Sequence, residues 1–286
     1  MKDIDIQWHP GFIGAMNLEL KENRDDLLFE KEHNLNTRPL EIDLLVIKKQ
    51  ADVQINNEIG KIFRGHNILE YKSPRDDLDI DTFYKASAYA SLYKSYGKTL
   101  DSIKAEDVTV SLVRKAKPYG LFRYFKEHDY LITNPYRGIY YIEGKVLFPT
   151  QVVVTRELNP IEHIWLSSLS DQLEKQRLLE LLEEIGKLHG KADKEFAQSV
   201  LEVGFGANKK IVEEVIGDEN MSEELLEILK PIIEPRMILA KQQVRKEDIE
   251  GTVNILRNFR HSDKEIKCAI MEQYQLSEEE AESYMK

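Results

Sequence analysis

Glu70 and Lys72, in the stretch HNILEYKSP, are the residues whose types and spacing point most directly to chemistry. The apolar residues before them and Pro74 after them read as a strand that stops at the proline. A strand alternates its faces with period two, so Glu70 and Lys72 point the same way and Tyr71 the other. Upstream, LEIDLLVIKK reads as another strand with one acid, Asp43, inside an apolar run. An acid there is unfavourable unless a cation pairs with it, either a metal or Lys72. Two carboxylates and a backbone carbonyl, here that of Tyr71, suit Mg²⁺ or Mn²⁺, which prefer hard oxygen ligands. A metal so held, with a lysine beside it, is equipped for phosphodiester hydrolysis by an activated water. Glu19, on a helix-like segment nearer the N-terminus, completes the candidate set, with Glu22 one turn on as its substitute. Glu-x-Lys alone is weak evidence, since the chain holds four copies. Two lie on helical patterns, where i,i+2 residues do not share a face, and one lies in a hairpin turn. Only Glu70-x-Lys72 follows an apolar strand.

The elements that must position these residues follow from periodicity. The sequence predicts a helix over 11–27, strands over 27–35, 40–49 and up to Lys72, and a turn at Asn36-Thr37-Arg38-Pro39. A helix over 79–97, a strand over 107–118 and a short helix near 120–130 come next. GIYYIEGKVLFPTQVVVTREL reads as a hairpin turning at Glu143-Gly144-Lys145. After about residue 160 the pattern becomes helical. Ser262/Glu265 and Ser277/Glu280 have capping-box spacing, and GFGAN (204–208) reads as a helix-breaking turn. The expected division is a domain over 1–158 and an acidic helical domain over 159–286, suited to self-association or to a basic partner.

Bulk properties narrow the class. The chain of 286 residues is 42% hydrophobic, enough for a substantial core, and carries a net charge of −11. That charge is uneven: residues 1–150 hold 22 Lys+Arg against 23 Asp+Glu, and residues 151–286 hold 18 against 28. The N-terminal half can therefore carry a local basic groove despite the acidic total. One cysteine, Cys268, excludes an internal disulfide. No run suits a membrane span and the N-terminus lacks a signal-peptide pattern, so the cytoplasm is the expected location. The seven histidines show no zinc-ligand spacing, and His66 is read as structural. No P-loop and no G-x-G-x-x-G is present.

PLEIDLLVIKK followed by HNILEYKSPRDDLDIDTFYKASAYASLYK resembles the PD-(D/E)XK nuclease superfamily, and within it the bacterial recombination-promoting, transposase-like nucleases. The resemblance spans roughly residues 8–155. It implies an α/β fold with a restriction-endonuclease-like αβββαβ core, followed here by an all-helical C-terminal domain. It also implies a Mg-dependent (or Mn-dependent) endonuclease acting on DNA, with Asp43, Glu70, Lys72 and Glu19 as the catalytic positions. Asp43 follows Ile42 rather than the proline of the motif's name. Lys85, on the helix after the third strand, matches a position that the superfamily often places near the scissile phosphate.

DNA would lie against RKAKPYGLFRYFK, where Arg114, Lys115, Lys117, Arg123 and Lys126 alternate with Tyr119, Phe122, Tyr124 and Phe125. Cations contact phosphates and aromatics stack on bases; the competing reading makes these aromatics core. For the site as a whole, the alternatives are a cross-strand ion pair without catalysis, in an inactive nuclease-like protein that binds DNA or protein, and a helical interaction protein whose N-terminal domain is secondary.

Overall fold

The computed structural model describes residues 6–34, 41–48, 50, 53–216 and 222–285. The turn expected at 36–39 lies outside them. Branched and aromatic residues form β1 (Leu27–Asn34), β2 (Glu41–Lys48), β3 (His66–Lys72), β4 (Val108–Arg114), β5 (Leu131–Tyr136), β6 (Ile139–Glu143) and β7 (Thr150–Val154). They make one mixed sheet in the order β1-β2-β3-β4-β7-β6-β5. The β3–β4 and β4–β7 pairs are parallel and the others antiparallel. β4 is buried along all but its last residue, as a strand covered on both faces must be.

A parallel pair needs a crossover, and α2 (Ile80–Ser95) provides it between β3 and β4. Asp79 caps this helix, its Oδ1 accepting the Thr82 amide at 2.8 Å. On that face Phe83, Ala86 and Ala90 of α2 pack with Phe122 and Phe125 of α3 (Tyr119–Glu127) over Ile68, Val110, Leu112 and Val152. The element order through β4 is thus helix, three strands, helix, strand, with α1 (Trp8–Glu19) as the first helix. The helix expected over 11–27 is shorter: it ends at Glu19, and a 3₁₀ segment, Lys21–Asp26, leads into β1. β5 was not foreseen, since Pro135 and its exposed residues hide any alternation. It is the last strand of the sheet, where a missing N–H costs no ladder bond.

After Val154 no strand occurs among the described residues. Helices α4 (Ile164–Ser167), α5 (Lys175–Gly186), α6 (Lys191–Ala207) and α7 (Lys209–Ile216) are followed by α8 (Glu223–Asn258), α9 (Asp263–Tyr274) and α10 (Glu278–Met285). The chain forms two compact units, Met1–Leu225 and Leu226–Lys286. The boundary expected after residue 158 falls inside the first unit because α6 packs against α1. A Cβ on Gly11 would stand 2.5 Å from Val203 Cγ2, and one on Gly14 would stand 2.7 Å from the Phe196 carbonyl oxygen. Only glycine permits that approach. The helix does break within GFGAN, but only at its last residue: α6 runs through Gly204 and Gly206 to Ala207. It stops at Asn208, whose Nδ2 donates to the carbonyls of Ser170 and Gly204.

Both capping boxes form. Ser262 Oγ accepts the Glu265 amide and Glu265 accepts the Ser262 amide. Ser277 and Glu280 exchange the same bonds. The backbone amides hold both glutamates below the ordinary carboxylate pKa. A carboxyl lowered in the folded state stabilises it above the unfolded pKa of about 4.3 and loses that contribution as the pH falls through the folded value. Far-UV circular dichroism is therefore expected to show helix loss on acidification below about pH 4 that is smaller in a Glu265→Gln/Glu280→Gln variant. Identical acid profiles would show that the boxes add nothing.

Candidate active site

The site is built where the β2–β3 ladder ends. Pairing runs from Ile47↔His66 to Leu44↔Leu69 and stops, just short of Asp43 and Glu70. On its other side β2 pairs Lys31↔Leu44 and His33↔Ile42 but skips Asp43, and Glu32 of β1 takes a left-handed φ of 49°. Asp43 therefore sits at a break in both ladders, and its side chain serves where a backbone partner would. Its Oδ2 accepts the Tyr71 amide at 2.8 Å. The apolar run around it, Ile42, Leu44, Leu45 and Val46, is fully buried and fixes the strand.

Glu70 is 2% exposed and does not stand alone. Its Oε1 accepts Lys72 Nζ at 2.9 Å, and Lys85 Nζ lies 3.6 Å from the same oxygen. Period two places Glu70 and Lys72 on the sheet face that α2 covers, which is how Lys85 reaches them. The Lys85 ammonium is half-exposed and stands over the Tyr89 ring. Burial works to lower its pKa, but the charge of Glu70 and its contacts with Tyr89 prevail and raise it. Tyr71 points the other way and stacks on Phe12 of α1, with ring centroids 4.6 Å apart. Its hydroxyl is buried without a partner, and burial pushes its pKa well up.

His9 is the residue that sequence reasoning missed. It lies in the first turn of α1, with Nε2 3.6 Å from Asp43 Oδ2 and its ring edge-on to Tyr71. The interaction with Asp43 raises its pKa; burial opposes this, and the charges of Asp43 and Glu70 add to it. Nothing in Trp8-His9-Pro10 announces this role. The contact depends on how α1 crosses the end of β3.

Glu19 is not in this group, which corrects the expectation that it acts with Asp43. It shares α1 with His9 but lies ten residues further on, about 15 Å along the axis at 1.5 Å per residue. Its carboxylate is fully engaged elsewhere. Oε1 accepts the Leu166 amide at 3.1 Å, and Oε2 meets Asn57 Nδ2 at 3.1 Å and His163 Nδ1 at 3.0 Å. Burial acts to lower the His163 pKa, but the bond and charge of Glu19, then those of Glu58, outweigh it and raise the value. Glu22 is exposed and holds Asn56 Nδ2 at 3.3 Å.

The proposed DNA contacts divide. Lys85 joins the cluster. Arg114, opposite Lys72 in the β3–β4 register, ties the following loop, donating to Asp76 O at 2.9 Å and pairing with Asp77. Lys115 is nearly buried and paired with Asp171. Lys117 donates to Tyr140 Oη at 2.6 Å and lies over the Phe122 and Tyr140 rings. Arg123 and Lys126 lie exposed on α3. Phe122 and Phe125 are core, so they cannot stack on bases, whereas Tyr119 is exposed. His66 Nδ1 bonds Tyr93 Oη at 2.9 Å, a structural contact as expected.

Two carboxylates, two ammonium groups and an imidazole thus converge at one end of the β2–β3 pair. Asp43 Oδ1 and Glu70 Oε2 accept no hydrogen bond from a described residue, leaving each acid an oxygen for a cation. No protein-family model matches the chain, and neither a curated protein nor a solved structure resembles it significantly. No helix among the described residues is long and apolar enough to cross a membrane.

Proposed function

We propose that this protein is a metal-dependent nuclease that hydrolyses DNA phosphodiester bonds, with Asp43, Glu70 and Lys72 at its centre. The observation that carries this reading is their convergence at the break between β2 and β3, with Asp43 fixed by the Tyr71 amide. The order helix, three strands, helix, strand supports it, as does the resemblance to PD-(D/E)XK nucleases. Asp43, Glu70 and the Tyr71 carbonyl would hold Mg²⁺ or Mn²⁺, which would supply charge neutralisation and an acidified water. Asp43 is oriented by its amide bond and by His9. Lys72 and Lys85 offset the buried Glu70, and with substrate present they face the phosphate and stabilise the charge it gains in the transition state. Incubation of supercoiled plasmid with purified protein tests the reading: nicking in Mg²⁺ or Mn²⁺ that EDTA abolishes is expected.

The 2.9 Å Lys72–Glu70 pair favours a second reading, an inactive nuclease-like protein that binds DNA. That reading gains if plasmid is bound but left intact under every metal condition.

Metal binding has a separate readout. A ligand at 100 times its Kd adds about 2.7 kcal/mol to stability, or about 5–10 °C in melting temperature for a unit of this size. Mg²⁺ or Mn²⁺ is expected to raise the wild-type melting temperature, and Asp43→Asn to remove most of that shift. Superimposable melting curves with and without millimolar metal would count heavily against the site.

A further inference from the structure

We propose a second divalent-cation site, formed by His163, Glu58 and Glu162 and suited to Zn²⁺, that is distinct from the Asp43–Glu70 centre. One ligand atom from each of the three lies within 4.8 Å of the others. Glu58 begins the 3₁₀ turn before β3, while Glu162 and His163 lead into α4. Ten residues of α1 separate His9, at Asp43, from Glu19, at His163, so the two sites stand about 15 Å apart along that helix.

The imidazole marks this as more than a group of acids. Its side chain is 1% exposed, and Glu19, equally buried, accepts from Nδ1 at 3.0 Å. A carboxylate on one ring nitrogen fixes the tautomer and turns the lone pair of the other outward, as in carboxylate–histidine–zinc arrangements. That second nitrogen, Nε2, faces Glu58 Oε2 at 3.4 Å. A charge-assisted N–H···O bond is shorter, about 2.7–2.9 Å. Two ligands bound at about 2.0–2.1 Å in a tetrahedron stand about 3.3 Å apart, which is the spacing seen here. Glu162 is exposed, so a second carboxylate can reach the ion as its third ligand and water can complete its shell. An imidazole with two carboxylates fits Zn²⁺ better than Mg²⁺, which takes oxygen ligands almost exclusively. The ion would tie the 3₁₀ turn before β3 to the segment entering the helical layer.

The test is a Zn²⁺ titration by calorimetry of the full chain carrying Asp43→Asn, with and without Glu162→Gln. Glu162 is exposed, so its loss leaves the fold intact. Glu162→Gln is expected to weaken Zn²⁺ binding at least 10-fold, with the stoichiometry otherwise unchanged. Glu19→Gln, which removes the carboxylate supporting His163 without altering a ligand, is expected to weaken it about 10–100-fold. If Asp43→Asn does not fold, the comparison is made on the otherwise wild-type chain, where Glu162→Gln weakens one Zn²⁺ equivalent at least 10-fold and leaves any other unchanged. Cys268, exposed and common to all variants, contributes equally to each. Indistinguishable titrations with and without Glu162, or no Zn²⁺ binding in the parent, would overturn the proposal and leave His163 as a buried ion-pair partner.

Discussion

Lys72→Ala is expected to lower plasmid cleavage by about 100-fold or more, equivalent to about 2.7 kcal/mol of transition-state stabilisation. In the ground state the Lys72 ammonium is held 2.9 Å from Glu70 Oε1, with Lys85 3.6 Å from the same oxygen. Glu70 therefore keeps a cationic neighbour in the variant, so folding and metal affinity survive. In the proposed mechanism, what disappears is a point charge beside the developing charge on phosphate, an interaction that would act mainly in the transition state. Lys72→Arg is not expected to restore the rate. A planar guanidinium on a different stem cannot occupy the position of a compact ammonium. If Lys72 serves only the ion pair, arginine keeps the bridge and the variant matches wild type. A Lys72→Arg protein that nicks plasmid at the wild-type rate removes Lys72 from the mechanism. Lys85→Ala provides the internal comparison: its half-exposed ammonium lies further from Glu70, and a smaller loss is expected.

Glu19→Ala is expected to act on stability instead. The side chain is 1% exposed and accepts from an amide, a carboxamide and an imidazole. Truncation leaves the Leu166 amide and His163 Nδ1 in a buried space without their acceptor, while Asn57 Nδ2 keeps the carbonyl of residue 19 at 3.1 Å. Breaking a buried charged pair from one side costs about 3–5 kcal/mol, which lowers the melting temperature by roughly 6 °C or more in a unit of this size. The remaining folded protein should cleave plasmid at the wild-type rate per molecule, because Glu19 does not touch the Asp43 cluster. A Glu19→Ala protein that melts like wild type but has lost cleavage would reinstate Glu19 as a member of the active centre.

Much of this molecule is local in origin, and local features are legible in the chain. Apolar runs bounded by turn residues set β2, β3 and β4, because a strand covered on both faces must be continuously apolar. Period two alone puts Glu70 and Lys72 on one side of β3, and both capping boxes close three residues apart within a single turn. The isolation of Asp43 among buried aliphatics marked it as needing a partner, and the Tyr71 amide and His9 are partners it found. Other features depend on contacts between residues far apart in sequence. β5 exists because the sheet edge tolerates Pro135, not because its residues alternate. Helices α4 to α7 join the sheet's unit because Gly11 and Gly14 let α6 approach α1, and spacing along α6 carries no trace of that contact. His9 and Glu19 both lie on α1, and the sequence offered the acid as the catalytic group. The rise of an α-helix decides otherwise: once one end of α1 stands at Asp43, the other is about 15 Å away, and Glu19 must satisfy its charge against His163 instead.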